Sequence, residues 1–144
     1  MKTKHLISLF VLLFFGTDLC AEPVSVENAM KIATNFMMQK HTHIAKNGKN
    51  YKMIKSLKLT NVATRSLNYD NFYIFNLNDD KGWVIVSGDD SVTPILGYST
   101  NGSFKINNIG PNTKELLDSY NEQIELVSNS KSPVNKDVAK QWSE

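Results

Sequence analysis

The chain has 144 residues, with 16 basic and 14 acidic side chains, three histidines and one cysteine. Its formal net charge of +2 gives no electrostatic case for a nucleic-acid partner or an anionic membrane surface. The length suits one domain around one core, and no repeat or low-complexity run interrupts it.

The opening residues, MKTKHLISLFVLLFFGTDLCAEP, have the layout of a secretory signal peptide. Lys2 and Lys4 make a basic start, Leu6 to Gly16 an apolar stretch, and Ala21 a small residue for cleavage. The apolar stretch is shorter than the roughly 20 residues a membrane span needs. The expectation is a signal peptide over 1–21 and a bacterial protein that is secreted or periplasmic, with no membrane span. Cys20 offers the alternative of a lipid anchor. Thr17, Asp18 and Leu19 are not the small residues that usually precede such a cysteine, so cleavage after Ala21 is preferred. The remaining 123 residues lack cysteine, and hence a disulfide or a thiol nucleophile; losing Lys2, Lys4 and Asp18 leaves 14 basic and 13 acidic residues, net +1.

Ser25 is placed to cap a helix running to about Lys40, with Val26, Ala29, Ile32, Ala33, Phe36 and Met37 on one apolar stripe. Leu57 to Val62 alternates as a half-exposed strand. FYIFNL at 72–77 and WVIV at 83–86, joined by NDDKG, predict a hairpin, and ILGY at 95–98 a further strand. Before the second helix stand Pro111 and Asn112, with Glu115 three positions after the asparagine as in a capping box. Leu116, Leu117, Tyr120, Ile124 and Val127 make that helix's apolar face. The expected fold class is therefore α+β: a small antiparallel sheet packed with an N-terminal and a C-terminal helix, over 22–128, then a flexible tail over 129–144.

Few residues suggest chemistry. Asp89 and Asp90 are the evident carboxylate pair, but neighbours in one polar turn lack the contrasting environments that acid–base catalysis needs. They are expected to end the strand. His41 and His43 form an H-x-H without a third ligand, and a helix end accounts for them. A serine triad needs a histidine base beside the nucleophile, and only His41 and His43 remain after the expected signal cleavage; no glycine loop cradles phosphate. Met30, Met37 and Met38 recur at helical spacing and are expected to fill core gaps rather than form a promiscuous binding face. The chain is expected to be no enzyme, with no metal and no cofactor.

The segment FYIFNLNDDKGWVIVSGDDSVTPILGYSTNGSF, followed by PNTKELLDSYNEQIE, closely resembles the N-terminal prodomain of streptopain-like secreted cysteine proteases and their free-standing inhibitors. The shared pattern is G-[WF]-V-I-V-S-G-D, P-x-I-L-G-Y-S, G-S-F and a helix ending S-Y-x-E-Q-I, within a likeness spanning about 25–127. The resemblance implies an inhibitor that covers the active-site cleft of a streptopain-like cysteine protease, acting in trans, with assistance to its folding as a related role. The family inserts an asparagine from the loop ahead of the last prodomain helix; counting back from Ser119-Tyr120, that position is Asn112, preceded by Ile109, Gly110 and Pro111. The same Asn112 also suits an N-cap, which needs no partner. The free protein is expected to be a monomer. Rival readings are a secreted adhesion or surface-assembly module and the remnant prodomain of a truncated protease.

Overall fold

Residues 72–77 and 83–87 are apolar but for Asn76 and Ser87, and each segment has buried apolar side chains at both odd and even positions. In the computed structural model, which describes residues 22–47, 59–62, 69–130 and 132–143, these segments are strands β2 (Phe72–Leu77) and β3 (Trp83–Ser87). They lie at the centre of a four-stranded antiparallel meander, between β1 (Leu59–Val62) and β4 (Ile95–Ser99). Ile74 pairs with Ile85 and Phe75 with Val84. Successive side chains point to opposite faces. Phe75, Leu77, Val84 and Val86 meet helix α1 (Val26–Asn47) through Ala29, Ala33 and Met37. Phe72, Ile74 and Ile85 meet helix α2 (Pro111–Asn129) through Leu117 and Ile124. The α+β architecture is thus a sheet with a helix on each face.

The hairpin turn is left-handed at Asp79 and Asp80 (φ 62° and 53°), a conformation aspartate tolerates better than most residues. Gly82 has φ +129°, and a Cβ there would stand 2.3 Å from the Ser99 carbonyl oxygen, so only glycine lets β4 approach. Ser25 caps α1, its Oγ accepting the Asn28 amide at 3.3 Å. The helix runs past the expected end at Lys40 because no glycine or proline interrupts it before Gly48. The expected strand over 57–62 appears as 59–62, its earlier residues lying outside the described ones, as does the whole of 1–21. Among the described residues no helix is long and apolar enough to cross a membrane.

The tail requires a correction. A third helix, α3 (Lys136–Ser143), stands where flexibility was expected. Asn135 caps it, with Oδ1 accepting the Asp137 amide at 2.8 Å; Asp137 and Lys140 complement its dipole. A helix this short is marginal alone. Trp142 holds it by packing against the α1-side core and donating Nε1–H to the Val92 carbonyl at 2.8 Å. Trp142→Ala should therefore cost roughly 2–4 kcal/mol in a urea melt, from lost packing and one lost hydrogen bond. No loss of stability would return 129–144 to the status of a tail.

Candidate functional site

Asn76 is the one polar residue in β2 and lies on the α2 face. Its carboxamide acts as a strand partner for the chain beyond β4: Nδ2 donates to the Phe104 carbonyl at 2.9 Å and Oδ1 accepts the Phe104 amide at 2.7 Å. The Phe104 ring meets Trp83 edge-on, centroids 5.5 Å apart. A single 3-10 turn, Ile106–Asn108, follows, and half-buried Ile109 packs against the α2-side core. Gly110, Pro111 and Asn112 then turn outward, all exposed.

The second helix starts at Pro111, and its N-cap is Gly110, whose carbonyl accepts the Lys114 amide at 3.0 Å. Asn112 is consequently not the cap, and no capping box forms with Glu115. Proline favours the first helical position because its φ is preset and it has no N–H to satisfy. With Ile109 drawn into the core, Pro111 sets the start and Asn112 falls one position inside. No side chain caps this end and no acid occupies the first turn, so the exposed corner carries uncapped amides.

Behind the corner, α2 is bound along its length to the sheet and to the segment just before β2. Tyr120 Oη donates to the Leu96 carbonyl at 2.9 Å, Asn71 Nδ2 to the Asn121 carbonyl at 3.1 Å, and Tyr69 Oη to Asp118 Oδ1 at 2.5 Å. Lys114 Nζ donates to the other Asp118 oxygen at 2.6 Å. Burial, then the hydrogen bond and charge of Asp118, push the Tyr69 hydroxyl up to about 12. The hydrogen bond from Lys114, and then that from Tyr69, hold Asp118 below the usual carboxylate value against some desolvation.

The other candidates have structural settings. Asp89 is buried, with Oδ1 accepting the amide of Ser91 at 2.9 Å and also its hydroxyl. Asp90 Oδ1 accepts the Glu22 amide at 2.7 Å, and its own amide reaches the Glu22 carbonyl at 3.2 Å. The pair does end β3, but Asp90 also ties residues 22–24 to the sheet, which no local pattern disclosed. His41 lies within α1, its Nε2 buried without a partner; the His43 side chain is outside the described residues. Among the described residues no three histidines, cysteines or acids gather as a metal site. Met37 is core, whereas Met38 is exposed.

With this geometry in place, a family model described as Spi protease inhibitor matches residues 21–124. The chain belongs to that family of protease inhibitors. It is similar to streptopain from Streptococcus pyogenes, 35% identical over 130 residues that cover 85% of this chain and 32% of streptopain. The same figures hold for streptopain from serotype M3 strain SSI-1, and serotype M1 streptopain is 34% identical over 130 residues. The chain spans about a third of the length of the curated relatives it matches. Membership gives it an inhibitor-like or prodomain-like role toward a protease.

Two expectations follow from the local geometry. Asn76→Ala strands both Phe104 backbone groups and should cost about 2–3 kcal/mol in a denaturant melt, whereas an effect within about 0.5 kcal/mol would show that Asn76 does not hold the loop. The Tyr69–Asp118 pair sets a pH window. Asp118, lowered on folding, contributes above its ordinary pKa of 3.8 and loses that contribution as pH falls below it; Tyr69, raised, contributes below its ordinary 10.0 and loses it as pH rises toward about 12. Urea midpoints between pH 10 and 12 should fall less steeply for Tyr69→Phe than for wild type; equal slopes would remove the hydroxyl from the linkage.

Proposed function

We propose that the chain is exported by its N-terminal apolar segment and blocks the active-site cleft of a streptopain-like cysteine protease in trans, as a monomeric domain. Ile109, Gly110, Pro111 and Asn112 make the contact. The observation that carries this reading is the outward corner at Gly110–Asn112: exposed, uncapped by any side chain, and fixed from behind by Asn76, Ile109 and Leu117. A corner held this way loses little conformational freedom on entering a cleft. Asn112 is exposed at the second helical position, where its carboxamide is not committed to capping. The 35% identity to streptopain supports a protease of that kind as the partner.

Because Asn112 is not a cap, Asn112→Ala separates binding from stability. Alanine is the better helix former, so the variant should melt within a few degrees of wild type or above it. A lost interface hydrogen bond that leaves a partner unpaired costs about 1–3 kcal/mol, or roughly five- to a hundredfold in inhibition constant. The expected result is at least about fivefold weaker inhibition of a streptopain-like protease, with little inhibition of a papain-like control by either protein. Wild-type inhibition by Asn112→Ala would place the contact elsewhere on the domain.

A further inference from the structure

Residues 22–24 lie beside the end of β3 as a short added strand. Pro23 forms an isolated antiparallel bridge with Asp89, and the Val24 amide donates to the Gly88 carbonyl at 2.7 Å. The Asp90 amide reaches the Glu22 carbonyl at 3.2 Å, and the Tyr73 hydroxyl donates to the Val24 carbonyl at 2.8 Å. Proline has no N–H, so one backbone donor of the three residues remains, the Glu22 nitrogen. A carboxylate answers it: Asp90 Oδ1 accepts from that nitrogen at 2.7 Å. Half-buried Asp90 takes part in no ion pair among the described residues.

We infer that Asp90 is the receptor for the α-ammonium group that appears at Glu22 when the signal segment is removed after Ala21. Hydrolysis of the Ala21–Glu22 bond adds the water oxygen to the Ala21 carbonyl carbon and a water hydrogen to the Glu22 nitrogen. The new carboxyl ionises, and the nitrogen takes up a proton. An amide with one hydrogen thus becomes an ammonium with three, already in contact with a carboxylate. With both partners charged, Coulomb attraction adds to the hydrogen bond. Because α1 begins at Val26, processing clamps the start of that helix to the turn after β3.

The surrounding charges suit an incoming cation. Among the described residues, three charged groups line the hollow next to this terminus: Glu22 itself, Asp90 and Lys31 of α1. Two carboxylates and one ammonium leave the place net negative, and the α-ammonium neutralises it. There α3 presents only the uncharged Trp142 and Ser143, and Asp89 turns away to Ser91, whose amide and hydroxyl its Oδ1 accepts. A chain starting at Cys20 would bring only an amide to Asp90, so the site suits a first residue at Glu22.

The inference rests on the export reading in one respect, that cleavage makes Glu22 the first residue. The test is export of the full-length precursor from a bacterial host, with the first residue of every recovered chain sequenced. In a second precursor Gly-Ser is inserted between Ala21 and Glu22, which moves the amine two residues away, and both are made with and without Asp90→Asn. At about pH 6.5 the insertion should lower the thermal midpoint by about 1–4 °C when Asp90 is kept. With Asp90→Asn the loss should be under about 1 °C. Acetylating the α-amino group of the processed chain, which removes the charge and leaves the cleavage site alone, should act as the insertion does. Pairing raises the amine above its ordinary value of about 7.7–8.0. Its contribution is complete below that value and is lost as pH rises through the raised one, so the difference should vanish by about pH 10. If Glu22 is first and neither insertion nor acetylation has an effect that depends on Asp90, the inference falls and the export reading stands. A different first residue would overturn the cleavage site and the inference together.

Discussion

The β2–β3 pair is the constraint on which the other elements depend. Ile74, Phe75, Val84, Ile85 and Val86 are all at most 2% exposed, so neither face of this hairpin can be left to solvent. At about 25 cal/mol per Å² of apolar surface, uncovering either side would remove much of a small domain's net stability. Both α1 and α2 are therefore obligatory, and their positions follow from the parity of the strand residues. Placing α2 on the Ile74 and Ile85 side in turn puts its first turn beside the loop that Asn76 holds.

That dependence explains how an exposed corner can be well defined. Among the described residues Gly110–Asn112 makes no tertiary hydrogen bond of its own, yet Asn76 and Ile109 fix the chain before it and Leu117 fixes the helix after it. Tyr69, Asn71 and Tyr120 add hydrogen bonds along α2 to the sheet and to the segment just before β2. The exposed Lys114–Asp118 pair contributes little by comparison, as surface ion pairs do. An inhibitor gains from this arrangement because the loop's ordering cost is met on folding rather than on binding.

Much of the architecture was legible in the sequence because its signals are local. Short apolar, β-rich runs bounded by turn residues placed β2, β3 and β4 to within a residue, and three- to four-residue spacing placed both main helices. The misreadings came from long-range contacts. Asn112 had the chemistry of a cap, but packing of Ile109 and the preset φ of Pro111 moved the cap to Gly110. Lys136–Ser143 had an Asn cap and charges suited to its dipole, signals obscured by a short, polar context; docking of Trp142 on the opposite face decided the matter. Asp90 looked like a strand terminator, and nothing near it in the chain points to Glu22. Asn76 was readable as the polar exception in FYIFNL, but its partner Phe104 was not.

The central claim is that the Gly110–Asn112 corner enters the protease's active-site cleft. The most direct measurement is binding of the protein to a streptopain-like protease whose cleft is occupied by a covalently attached substrate analogue. The account predicts that blocking the cleft abolishes binding that the free protease shows. Equal affinity for the blocked and free enzymes would contradict it.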